Sequence, residues 1–294
     1  MKTSPASRRF RTLTNLFPLG LLVASLLSAA SAAETPARGI RVVGVQQAGQ
    51  STAGNAALFV GVNEFDDDSI QTLRFAVNDA VAQAHLFILE LQLIPAANAM
   101  VLLSGEPGTA ATRAQKAALE AAGVRLAKAT RSRILLELAR TVRLPEAKSD
   151  LVLVSLSSHG FEQGGVPYVM PGDGLRSFLK DTGVPLPTVE EQLAKSAAGK
   201  RLLIVDACRE KTTVDGKNLG RGMDAAWRQA LALARGQAVL MSCDVGQFSF
   251  EDAKLGHGVF TYHLLGGLRG QAGANGAGVH HAGRGERLCA ARGE

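Results

Sequence analysis

The stretch Leu151-Val152-Leu153-Val154-Ser155-Leu156-Ser157-Ser158-His159-Gly160 decides how the chain is read. An apolar run, broken once by Ser155, ends in two serines, a histidine and a glycine. A second stretch has the same form: Arg201-Leu202-Leu203-Ile204-Val205 leads into Asp206-Ala207-Cys208-Arg209. Runs of Val, Leu and Ile without alternation mark strands that are covered on both faces. Three more occur, at Ala57–Val62, Ala99–Leu103 and Ala238–Met241. Apolar residues at helical spacing lie between them, over Leu73 to Leu91, Arg131–Val142, Val189–Ala197, Met223–Ala234 and Val259–Leu268. Strand and helix in alternation predict an α/β domain, with a mostly parallel sheet and helices on both faces. No internal repeat is visible. Residues Pro171 to Pro187 and Arg209 to Gly222 read as loops, being rich in Gly and, in the first, Pro.

One domain over residues 56–270 accounts for these elements. Residues 1–33 read as a secretory signal peptide: Lys2, Arg8, Arg9 and Arg11 precede an apolar stretch from Leu16 to Ala29, and small residues follow. That stretch is shorter than the roughly 18 residues of a spanning helix and contains Pro18. The expectation is an exported protein, periplasmic or secreted, without stable membrane insertion. Residues 34–55 read as a linker, with Ile40 to Val45 as a possible edge strand. Residues 271–294 read as a Gly-rich disordered tail.

The composition narrows the function. Of 294 residues, 46% are hydrophobic and 20% charged, which excludes a disordered chain. Three cysteines are too few for a disulfide scaffold. The net charge of +6 suggests an acidic partner, but four of the basic residues sit in the leader, which has no acid. The remainder is close to neutral, so charge gives no case for nucleic-acid binding. Cys-x-x-Cys, His-Glu-x-x-His and EF-hand patterns are absent from the sequence, so no metal site is predicted.

In parallel sheets the ligand crevice lies at the carboxyl ends of the strands. His159 and Cys208 each follow a separate strand run there. A thiol becomes a useful nucleophile beside a base, and imidazole is the usual one. Gly160 is expected to let the chain turn sharply. A lone cysteine is more often a buried core residue and a lone histidine a satisfied strand end; the two together favour catalysis.

These flanks resemble the caspase-like superfamily, most closely its bacterial metacaspase-like branch. The separation of His159 and Cys208 is near the roughly 50 residues of the caspase pattern. Ala207-Cys208-Arg209 keeps the signature, while Asp206 and Glu210 stand where caspases carry Gln and Gly. Three further segments resemble the family: Ala57 to Asn63 its first strand, Phe75 to Ala80 its first helix, and Gly256 to Tyr262 the motif opening its last core helix.

The resemblance implies a cysteine endopeptidase acting on polypeptides. Cys208 would attack the scissile carbonyl, His159 would exchange the proton, and the backbone N–H groups of Gly160 and Cys208 would form the oxyanion hole. Asp79, Ser157 and Asp206 would line an acidic pocket, which implies cleavage after Arg or Lys. The loop after Cys208 carries Lys211, Lys217 and Arg221 and is a place for self-cleavage. The resemblance implies no cofactor; calcium activation occurs in the family, and Asp66-Asp67-Asp68 reads as a solvated loop rather than a ligand set. Oligomeric state is open. The alternative reading is a non-catalytic caspase-like module that binds a peptide or protein partner, favoured by Glu210 and the unusual second serine, Ser158.

Overall fold

All seven residues of the first core strand, β1 (Ala56–Val62), are buried, and the domain is built outward from it. β1 pairs in parallel with β2 (Ala99–Ser104) on one edge and with β4 (Leu151–Gln163) on the other. β3 (Arg125–Lys128) extends the β2 side, while β7 (Lys200–Arg209) and then β8 (Gln237–Met241) extend the β4 side, all in parallel. The far end of β4 turns back through Gly164 and Gly165, whose φ values of 63° and 79° suit glycine. It pairs antiparallel with β5 (Val166–Val169), and β5 with the short β6 (Val184–Pro185). This eight-stranded sheet is the expected α/β architecture.

The computed structural model describes residues 51–209, 237–242 and 251–269, with backbone alone at 42–43, 208–209 and 279–280. Val42–Val43 pairs antiparallel with Val279–His280, inside segments read as linker and tail. The leader, the loop over 210–222, the helix expected at Met223–Ala234, Cys243, Cys289 and the rest of the tail lie outside the described residues. Among the described residues, no helix is long and apolar enough to cross a membrane.

Two apolar layers cover the sheet. α3 (Arg131–Thr141) and α5 (Leu186–Ala194) bring Ile134, Leu138, Val189 and Leu193 onto the face that carries Val60, Val154, Leu203 and Val205. α1 (Ala76–His85) brings Val77, Ala80, Val81 and Ala84 onto the face that carries Phe59, Val101, Leu153 and Ile204. Leu119 of α2 (Ala110–Ala121) joins this second layer, and Phe260, Leu264 and Leu268 of α6 (Val259–Leu268) pack against it. Each fully buried Val, Leu, Ile or Phe side chain contributes about 1.5–3 kcal/mol. Thr109 and Thr130 cap α2 and α3 by accepting the N–H groups of Thr112 and Arg133. The helix expected over Leu73 to Leu91 begins at Ala76 and ends in a wider turn, Leu86–Glu90.

Several features differ from the sequence reading. β3 and α2 were not expected: Arg125-Leu126-Ala127-Lys128 is a half-exposed edge strand, and α2 buries only Thr112 and Leu119. The segment Pro171 to Pro187, read as a loop, holds the one-turn α4 (Leu179–Thr182) and β6. Gly160 makes no turn, because β4 continues through it to Gln163. His159 and Cys208 therefore sit within long strands rather than just after short ones.

α1 lies very close to β1 at Gly61. A Cβ there would stand 2.7 Å from the Ala76 carbonyl oxygen and 2.8 Å from the Ala80 Cβ. Gly61→Ala is expected to cost about 1–3 kcal/mol, seen as a lower urea midpoint. An unchanged midpoint would show that α1 can withdraw without loss.

Candidate active site

The parallel ladder between β4 and β7 runs from Leu151 opposite Lys200 to Gly160 opposite Arg209. Within it His159 faces Cys208, Ser157 faces Asp206, and Gly61 of β1 lies beside Ser157 on the other edge. The two strand ends thus place the imidazole-bearing and thiol-bearing residues at one register position. Gly160 is one step further along and is also paired with Val169 of β5.

His159 is 5% exposed and held from several sides. Its Nε2 lies 2.7 Å from the main-chain carbonyl oxygen of Gln71, in the loop between β1 and α1. A carbonyl only accepts, so Nε2 carries the hydrogen and Nδ1 is left as the basic nitrogen in the neutral ring. Nδ1 is buried and has no hydrogen-bond partner among the described residues. Phe65 and Phe161 flank the ring at centroid distances of 5.3 Å and 6.0 Å. Arg176 caps Phe161 at 5.2 Å, and its N–H donates to Asp67, which ties the Gln71 loop to the segment after β5. Ser158, one residue before, donates to the Met170 carbonyl at 2.6 Å, and the Met170 N–H donates to the His159 carbonyl at 2.9 Å. The second serine thus pins β4 beside the histidine.

Asp79 and Asp206 meet at Gly258. A Cβ on Gly258 would stand 2.9 Å from Asp79 Oδ2 and 3.0 Å from Asp206 Oδ2. Both carboxyls are buried, at 3% and 7% exposure. Asp79 accepts the Gly258 N–H at 3.1 Å, and its Oδ1 lies 2.7 Å from His257 Nδ1. Asp206 accepts the Thr261 hydroxyl at 2.7 Å. Ser157, 1% exposed, has a hydroxyl with no hydrogen-bond partner among the described residues. The Asp79–Asp206 pair and the strand register bring Asp79, Asp206 and Ser157 into one region.

The neighbouring Asn78 fixes this region to the segment that leads into α6. Its amide donates to the Gly256 carbonyl at 2.7 Å and accepts the Gly108 N–H at 2.7 Å. Glu251 accepts the N–H groups of Arg74 and Phe75 at the start of α1. The hairpin of β9 (Glu251–Asp252) and β10 (His257–Gly258) is therefore clamped to α1.

Burial, the Asp206 charge and the more distant Glu251 hold the Asp79 carboxyl well above its ordinary range, against the pull of the Gly258 amide. Burial, with a smaller effect from Arg269, pushes the His257 imidazole down. A hydrogen bond from a carboxylic acid to a neutral imidazole fits both directions; an imidazolium–carboxylate pair fits neither. Among the described residues, no group of three His, Cys, Asp or Glu residues is arranged to hold a metal ion. Asp67 is held below its ordinary carboxyl range by hydrogen bonds from Ser69 and Arg176, consistent with a loop anchor.

The α/β sheet thus carries His159 and Cys208 at one register position of β4 and β7. Residues 55–280 match the family model described as "Caspase domain", and the chain belongs to that family. A crystal structure of a Geobacter sulfurreducens protein is similar at 14% identity, covering 74% of this chain and 82% of that one, with a TM-score of 0.46. Caspase-1 from Spodoptera frugiperda is similar at 15% identity, covering 80% and 78%, with a TM-score of 0.42. The Drosophila initiator caspase Dronc is 14% identical, covering 53% and 50%, with a TM-score of 0.31. No curated protein matches the chain in sequence.

The buried acid predicts a pH signature. Asp79 binds its proton more tightly in the fold than in the unfolded chain, so its ionisation favours unfolding. Its contribution is present below the ordinary carboxyl value and is lost as pH rises through the folded-state value. His257 acts oppositely, since its protonation favours unfolding as pH falls below 6.5. Asp79→Asn removes only the first effect. The variant's urea midpoint should therefore rise relative to the parent as pH climbs, whereas a constant gap would show that Asp79 titrates normally.

Proposed function

We propose that the protein is a cysteine endopeptidase that cuts polypeptides after Arg or Lys. The observation that carries this reading is the pairing of His159 with Cys208, with Nε2 fixed on the Gln71 carbonyl and Nδ1 unpartnered. Nδ1 accepts the Cys208 thiol proton, the thiolate attacks the scissile carbonyl, and the imidazolium returns the proton to the leaving amine. Water then hydrolyses the acyl-enzyme, with His159 as base. The N–H groups of Gly160 and Cys208 receive the developing oxyanion, worth roughly 3–4 kcal/mol per donor in proteases where this has been measured. The dyad chemistry draws on no cofactor.

The residue before the cut is selected by Asp206, Asp79 and Ser157. Two buried carboxyls around one point disfavour an acidic side chain and favour a cation. A guanidinium or ammonium arriving there draws the proton off Asp79 and pairs with both acids. An unpartnered Ser157 hydroxyl supplies a further acceptor. Residues 1–33 direct export, so the substrate is a protein met outside the cytoplasm.

The test is hydrolysis of matched fluorogenic peptides ending in Arg, Lys or Asp, by protein lacking residues 1–33, with and without calcium. Cleavage after Arg and Lys is expected, and Cys208→Ala should abolish it. Asp206→Asn should lower kcat/KM for the Arg peptide by roughly 10- to 100-fold, the weight of a hydrogen-bonded charge pair. Cleavage after Asp alone would keep the dyad and sink the acidic pocket. No cleavage by folded protein would favour a non-catalytic peptide-binding module.

A further inference from the structure

A buried polar chain runs from β4 through α1 to the acidic pocket. The Ser155 hydroxyl lies 2.6 Å from Gln83 Oε1, Gln83 Nε2 lies 3.2 Å from Thr261 Oγ1, and Thr261 Oγ1 lies 2.7 Å from Asp206 Oδ2. Ser155, Gln83 and Thr261 are each 0% exposed. Ser155 interrupts a Val-Leu run, and Gln83 lies one turn after Ala80 of α1, between the buried Ala82 and Ala84. Buried amides and hydroxyls cost free energy unless paired, and methionine or valine would fill such positions without that cost.

The chain has a direction, and Asp206 sets it. Thr261 has one hydroxyl hydrogen. If it goes to Asp206, Thr261 must accept from Gln83, so the amide presents Nε2 to Thr261 and Oε1 to Ser155. Ser155 then donates, and every hydrogen in the chain points toward the carboxylate. The flipped amide would put two acceptors, Gln83 Oε1 and an ionised Asp206, on one hydrogen. With Asp206 ionised, the chain is satisfied throughout only in this direction.

We propose that Thr261, with Gln83 and Ser155 behind it, is a positioning residue that orients the Asp206 carboxylate as an acceptor toward the cationic side chain of the substrate. This deepens the Arg/Lys reading above and rests on it. Thr261 belongs to α6 and Gln83 to α1, so the packing of these two helices is built into substrate selection.

Thr261→Val removes the hydroxyl and keeps the shape; Thr261→Ser keeps the hydroxyl. With the Arg peptide, Thr261→Val is expected to lower kcat/KM about 10- to 100-fold, mainly through KM, the weight of one hydrogen bond to a charged group. Thr261→Ser should stay within about threefold of the parent. Gln83→Met, one bond further away, should raise KM by a smaller factor in the same direction. Urea midpoints report folding separately, and the Gln83 variant decides the case if the valine variant does not fold. An unchanged KM in a folded valine or methionine variant, or a loss carried by kcat alone, would overturn the proposal. If Asp206→Asn leaves Arg cleavage untouched, it is the Arg/Lys reading that fails. If Asp206→Asn raises KM and Thr261→Val does not, the positioning role fails alone.

Discussion

The parallel register between β4 and β7 is the constraint on which the rest depends. It sets Ser157 opposite Asp206 and His159 opposite Cys208 in a single ladder. Side chains alternate with a period of two along a strand, so a one-residue slip in either strand would send its polar residues to the other face. A slip of β7 would bury Asp206 on the face that carries Val60 and Val154 and move Leu203 and Val205 to the face of α1. The register is therefore fixed by the hydrophobic layers, and the site follows from the packing of residues far from it.

α1 is the second organiser. Its buried side couples two tasks that are usually separate, filling the core with Val77, Ala80 and Ala84 and carrying Asn78, Asp79 and Gln83. Through these polar residues it reaches Gly256, His257, Gly258 and Thr261, nearly two hundred residues later in the chain. The cost of burying Asn78 and Gln83 is offset because each amide is paired at both ends. The acidic pair is treated unequally. Asp206 takes a hydroxyl hydrogen bond, while Asp79 is paired with the imidazole of His257 and resists ionisation, so the two charges need not coexist.

Much of this was legible in the sequence, and the reasons are local. β1, β2, β4, β7 and β8 show as apolar runs because both faces of each are covered. The shared position of His159 and Cys208 was visible because each ends one of two such runs. β3 and α2 escaped because an exposed edge strand and a helix with two buried residues leave little pattern. The hinge expected at Gly160 was wrong because the antiparallel partner β5 lets the strand continue, and nothing in Gly160 itself shows that. Gln71 could not be found from residue type, since its contribution is a main-chain carbonyl. Ser155 did leave a signal, a polar residue inside an otherwise apolar run, whereas Gln83 is one of three buried polar residues of α1. Ser158, odd as a sequence feature, is explained by its bond to Met170.

The central claim is that His159 activates the Cys208 thiol. The most direct measurement is the pH dependence of Cys208 alkylation by iodoacetamide, followed by mass on the peptide that contains it, in the parent and in His159→Gln. The account predicts that Cys208 reacts as a thiolate well below the ordinary cysteine value of about 8.5, and that the variant returns to it. Identical profiles in the two proteins would contradict it.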